Sequence, residues 1–111
     1  MIDPTGIGKE EALGYVGRGW ASLIEDFYKE AEKTPYSVNV SCVKEKFGGL
    51  RIYWRSEFET DYVGKPYRDL DDFLFNLENK SYMICEECGN HGKMQKRGGW
   101  LKTLCKDCFE R

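Results

Sequence analysis

Apolar and polar positions along this chain change period several times, and each change marks an element. Trp20, Leu23, Ile24, Phe27, Tyr28 and Ala31 recur at three- and four-residue steps, so they form one stripe of an amphipathic helix. Glu25, Asp26, Lys29, Glu30 and Lys33 fill the opposite face. Thr34-Pro35 stops the helix, because proline cannot continue the hydrogen-bond ladder and restricts the residue before it. Upstream, five glycines between Gly6 and Gly19 leave room for only a short first helix, around Glu10 to Val16.

From Ser37 to Lys44 the period becomes two, with Val38, Val40 and Cys42 on one face and Asn39, Ser41 and Val43 on the other. Leu50, Ile52 and Trp54 then alternate with Arg51, Tyr53 and Arg55. Phe47-Gly48-Gly49 between the runs supplies the positive-φ residues of a tight reversal, which predicts an antiparallel hairpin. Glu57 to Arg68 shows no period and reads as a loop, or as an irregular third strand around Asp61 to Val63. Asp69 is placed to cap a second helix, with Leu70, Phe73, Leu74 and Leu77 as its apolar stripe and an end near Asn79 or Lys80.

The last thirty residues, Tyr82 to Arg111, are too few to bury a core of their own. They carry the most specific chemistry in the chain. Cys85, Cys88, Cys105 and Cys108 form two Cys-x-x-Cys pairs separated by sixteen residues, the spacing of a structural zinc site. Four thiolates satisfy one Zn2+ and leave no open position for a reacting water. Rubredoxin-like iron is the competing occupant. A thiol-disulfide couple fits poorly, since reactive pairs of that kind sit at a helix N-terminus after a strand, whereas these lie in strand-and-turn sequence. Gly89 after the first pair permits a left-handed turn, and Gly98-Gly99 between Lys93–Arg97 and Trp100–Leu104 reads as a second hairpin. The expected architecture is therefore α+β: a helix packed on a short antiparallel β-hairpin, a second helix, and a C-terminal zinc ribbon, divided as a core over 1–81 and a ribbon over 82–111.

Composition narrows the function. A hydrophobic fraction of 41% with three Trp, seven Tyr and six Phe supports a packed core, and the formal charge of −2 disfavours generic duplex binding. Zinc on four thiolates would take that charge to about −4. Free thiolate ligands imply a reducing compartment, so a cytoplasmic location is expected, with no apolar run long enough for a membrane span. His91 lies between the ligand pairs but is surplus to a four-sulfur site, and Cys42 is expected as a small buried hydrophobe. Gly6-Ile7-Gly8-Lys9 lacks the phosphate-loop pattern, having Asp3 where a glycine and Glu10 where a Ser or Thr would be needed. Asp61, Asp69, Asp71 and Asp72 read as a helix start and solvated face rather than a nuclease site, and the chain is read as non-enzymatic, with a metal-dependent hydrolase as the alternative.

Two surfaces are candidates for contact with a partner. Lys44, Lys46, Arg51 and Arg55 with Tyr53 and Trp54 belong to the first hairpin; Lys96, Arg97 and Trp100 belong to the second. Trp100 is expected to pack over the zinc site and exclude water, the alternative being stacking on a nucleic-acid strand.

The run Val43-Lys44-Glu45-Lys46-Phe47-Gly48-Gly49-Leu50-Arg51, followed by Cys85-Glu86-Glu87-Cys88-Gly89, Gly98-Gly99-Trp100 and Leu104-Cys105, resembles a group of small zinc-ribbon proteins of bacteria and their phages. The resemblance spans roughly Trp20 to Cys108 and includes the Gly19-Trp20 pair; the last ligand, often histidine in that group, is Cys108 here. It implies an organisation rather than an activity. With the acidic balance it favours a protein partner, as in a phage-encoded inhibitor of a host defence component or an immunity or adaptor protein; a nucleic-acid-binding ribbon is the alternative.

Overall fold

The computed structural model describes residues 1–56 and 65–111, with side chains for all of these except 65–67. The architecture is α+β. In chain order it comprises α1 (Lys9–Leu13), a 3-10 turn (Arg18–Trp20), α2 (Ala21–Glu32), β1 (Asn39–Lys46), β2 (Gly49–Arg55), α3 (Lys65–Ser81), β3 (Lys93–Arg97), β4 (Trp100–Leu104) and α4 (Lys106–Glu110).

Helix α2 buries the expected stripe: Leu23, Ile24, Phe27, Tyr28 and Ala31, with Trp20 fully enclosed just before it. The Tyr28 hydroxyl donates to the Ile7 carbonyl at 2.7 Å, and burial, aided by Glu11, pushes its pKa up to about 12. At the other end, the Met1 ammonium donates to the carbonyls of Ala31 and Thr34, both at 2.9 Å, placing a positive group where the helix dipole is negative.

Strands β1 and β2 pair antiparallel, and their inner face joins α2 and α3 in one core through Val38, Val40, Val43, Leu50, Ile52, Leu70, Leu74 and Leu77. The alternation expected along β1 fails halfway. Between Val40 and Cys42 the register shifts by a bulge at Ser41, which reverses the faces beyond it. Val43 therefore points into the core, while Cys42, expected with Val38 and Val40, is only half-buried opposite Tyr53. At the reversal the left-handed residues are Phe47 (φ 54) and Gly48 (φ 85), not Gly49. Gly49 belongs to β2, and a Cβ there would overlap the Tyr82 ring.

Both edges of this small sheet are covered. The N-terminal segment lies along β1, with Asp3 N donating to Val38 O at 2.9 Å and Ile7 N to Val40 O at 2.8 Å. Along β2, side chains of α3 substitute for a strand: Leu50 N donates to Ser81 Oγ at 2.9 Å and Ile52 N to Glu78 Oε2 at 3.1 Å. Helix α3 starts at Lys65, so Asp69 sits inside it rather than capping it, and the apolar stripe from Leu70 had marked only its packed portion. The irregular strand considered around Asp61 to Val63 lies outside the described residues.

The second hairpin forms as expected, with Lys93 to Arg97 paired to Leu104 to Trp100 across Gly98 (φ 58) and Gly99 (φ 89). The short helix α4 gave no periodic signal, because five residues are too few to show one.

Candidate metal centre

The two Cys-x-x-Cys pairs reach one point from different kinds of backbone. Cys85 and Cys88 lie on a turn after α3, closed by Gly89 N donating to Cys85 O at 2.9 Å and Cys85 N donating to Asn90 O at 2.7 Å. Gly89 takes φ +87 there, the left-handed conformation its sequence position suggested. Cys105 and Cys108 straddle the start of α4: Cys105 is its N-cap, and its sulfur accepts from Cys108 N at 3.5 Å. This pair, expected in strand-and-turn sequence, thus sits at a helix N-terminus directly after β4, and it is the convergence of four sulfurs rather than the backbone setting that favours a metal over a redox pair.

All four sulfurs lie within 4.8 Å of one another, and the Sγ atoms of Cys88 and Cys105 are 3.6 Å apart. A tetrahedron with Zn–S bonds of about 2.3 Å has edges of about 3.8 Å, so the donor set fits one ion. Among the described residues this is the one group of three or more His, Cys, Asp or Glu side chains close enough to hold a metal. Asp69, Asp71 and Asp72 do not converge into a second one, Asp61 lies outside the described residues, and His91 is outside the cluster, in a β-bridge with Ile84.

Proton affinities show why the cluster suits a cation. Burial opposes ionisation of Cys85, but the backbone N–H groups of Cys105, Cys88 and Glu87 outweigh it and bring its pKa down to about 6. The Cys105 thiol, then burial and the thiols of Cys85 and Cys88, push Cys108 up to about 12. Cys88 is also raised: the Asn90 N–H works against the rise, but desolvation and the thiols of Cys105 and Cys85 prevail. One thiolate forms readily and resists the next, an opposition that a divalent ion at their centre removes.

The first Cys-x-x-Cys turn is built against the core. Gly19 N donates to Glu86 O at 2.7 Å, the Trp20 indole N–H to Ile84 O at 2.8 Å, and Arg18 Nε to Glu87 O at 3.2 Å. Glu86 is itself buried, accepting from Gly17 N at 3.1 Å and facing Lys102 Nζ at 3.7 Å. A Cβ on Gly19 would overlap the Cys85 carbonyl and stand 2.6 Å from Glu86 O and Gly89 N. In the sequence Gly17 and Gly19 mark only an uncertain helix start, with Gly19-Trp20 as part of the resemblance; the role of the Gly-x-Gly-Trp spacing depends on residues about seventy positions away.

The surface candidates separate. Lys44 and Tyr53 are exposed on the outer face of the first hairpin, the Lys44 ammonium 5.5 Å from the ring. Lys46 lies similarly 5.6 Å from Phe47, and Arg55 is exposed. Arg51 is engaged, donating to Tyr82 Oη at 2.6 Å and Leu50 O at 3.0 Å. Trp54 is half-buried and stacks on Tyr36 at 6.2 Å. In the ribbon, Lys96 is exposed and Arg97 donates to Arg111 O at 2.5 Å. Trp100, expected to shield the metal, is instead 74% exposed: it stands beside the Gly98-Gly99 turn, across from Arg97 and at the hairpin end remote from the Cys105 ligand. Among the described residues no helix is long and apolar enough to cross a membrane.

No family model, curated protein or solved structure matches this chain. The class supported by fold and site is thus an α+β protein with a four-cysteine cluster compatible with zinc.

Proposed function

We infer that the chain is a small non-enzymatic protein, stapled by one structural Zn2+, that works in the cytoplasm by binding another protein. The observation carrying this reading is the exposure of large apolar side chains on the two hairpins: Phe47 at 65%, Trp100 at 74%, Met94 at 45% and Leu101 at 37%. Such groups are withdrawn from water when a partner covers them. A metal held by four sulfurs has no site for substrate, so zinc would fix the surface rather than act at it. An inhibitor of a host defence component, or an immunity or adaptor protein, would have this form.

A nucleic-acid partner is favoured by one specific feature. From Lys93 to Leu104 there are four basic residues and no acidic one, so the mean acidity of the chain resides elsewhere. Affinity capture with the tagged, zinc-loaded protein, with and without nuclease, separates the readings. A partner that survives nuclease and is recovered reciprocally supports protein binding; one lost with nuclease, or direct oligonucleotide binding that falls steeply with salt, replaces it with the second reading.

A further inference from the structure

The turn of the first hairpin departs from what stability alone would select. Phe47 holds φ 54, a left-handed conformation that asparagine, aspartate or glycine adopts with little strain and a bulky side chain adopts rarely. Burial does not compensate, because Phe47 is 65% exposed. Strain of this kind persists where surrounding structure enforces it and commonly marks a working position.

The enforcement is visible. Thr103 Oγ1 donates to Gly48 O at 2.6 Å, and the Met94 side chain lies 3.2 Å from where a Gly48 Cβ would stand. The ribbon thus clamps the turn from below. Because Met94 pairs with Thr103 and Lys96 with Leu101, these four share the ribbon face that holds Gly48. Phe47, next to Gly48 in the turn, and Met94 and Leu101, on the ribbon face that holds Gly48, are all exposed where the two hairpins meet.

The charges flanking it are one-sided. Lys46 and Lys96 are exposed next to it, Lys46 over the Phe47 ring and Lys96 opposite Leu101, and Lys44 is exposed further along β1 over Tyr53. The one acid between Asn39 and Arg55 is Glu45, whose carboxylate is committed to Gly48 N at 2.7 Å. Nucleic acid would satisfy the lysines and could stack one base on Phe47, but Met94 and Leu101, the rest of the group, have no ring to offer it. An apolar side chain ringed by carboxylates satisfies both parts of the surface.

We propose that the junction of the two hairpins is a docking surface, anchored by Phe47, for an acidic, amphipathic segment of a partner protein. It rests on the protein-binding reading above and names the contact and its chemistry.

The test uses the full zinc-loaded chain in fluorescence anisotropy against three probes: a short peptide alternating Glu with Leu and Phe, the same peptide with Lys for Glu, and oligo(dT). The acidic peptide should bind, more weakly as salt rises, and the basic one should not. Phe47→Asn should weaken binding about tenfold or more while the melting temperature stays at or above that of the wild type, since asparagine suits the turn. Met94→Gln, outside the turn, should give a loss in the same direction. Acidic-peptide binding that is absent, or indifferent to both substitutions, overturns the proposal, as does tighter binding of oligo(dT). A nuclease-resistant partner held equally by wild type and Phe47→Asn overturns this surface while leaving the protein-binding reading in place.

Discussion

Replacing Gly19 by alanine tests how far the metal turn and the core are one structure. Gly19 lies in the 3-10 turn before α2, where alanine in open space would stabilise by about 0.4–1 kcal/mol through a less flexible unfolded chain. Here the new Cβ would overlap the Cys85 carbonyl and stand 2.6 Å from Glu86 O and Gly89 N, all backbone atoms that cannot rotate away. A relaxed C···O contact is about 3.3–3.6 Å, so the turn must retreat by roughly 1 Å. That movement breaks the 2.7 Å bond from Gly19 N to Glu86 O and strains the 2.8 Å bond from the Trp20 indole to Ile84 O. Overpacking costs about 1–3 kcal/mol and each buried hydrogen bond about 0.5–1.5, giving a net loss of about 3 kcal/mol. Because Cys85 and Cys88 ride on the displaced turn, zinc affinity should fall with stability. Urea unfolding of the zinc-loaded proteins and competition with a chromophoric chelator measure the two quantities. Gly14→Ala is the control, since its Cβ would meet nothing closer than Glu11 O at 3.4 Å. If Gly19→Ala matches the wild type within about 0.5 kcal/mol and keeps its zinc affinity, the Cys85–Cys88 turn is not held in place by its close packing on Gly19.

Elemental analysis should find one zinc per chain, and chelation should lower the melting temperature of the whole protein, because the turn bearing Cys85 supports Trp20 as well as the ribbon. Iron in place of zinc would appear as a red colour on purification. Glu78→Gln keeps the acceptor for Ile52 N but removes a carboxyl whose pKa is raised, first by burial, with Asp71 adding and the Ile52 N–H and Arg51 opposing. A raised folded pKa means that Glu78 favours the fold below its ordinary value of 4.5 and loses that contribution as pH rises through the folded value. The melting temperature of Glu78→Gln relative to wild type should therefore rise with pH across that window; a constant difference refutes the assignment. Trp20→Phe keeps most of the packing but leaves the Ile84 carbonyl without its indole donor, and should lose about 1–3 kcal/mol in urea unfolding.

Periodicity and spacing determined much of this molecule. Helical steps from Trp20 to Ala31, alternation from Leu50 to Trp54, and the glycines at 48, 89, 98 and 99 each act through neighbours close in the chain, so their structural meaning is local. The four cysteines were equally legible, because ligand spacing encodes a metal site wherever the chain lets the pairs converge. Tertiary structure alone decided the rest. The Ser41 bulge turns Val43 inward and Cys42 aside, an outcome set by how β1 must meet β2 and the core. Gly17 and Gly19 are glycines because Glu86 and Cys85 press on them from across the fold, and Trp100 stands in water because it sits at the turn end of the ribbon, away from the end where Leu104 packs on Cys85 and Cys108. Close approach between distant segments depends on the packed whole, and no local period records it.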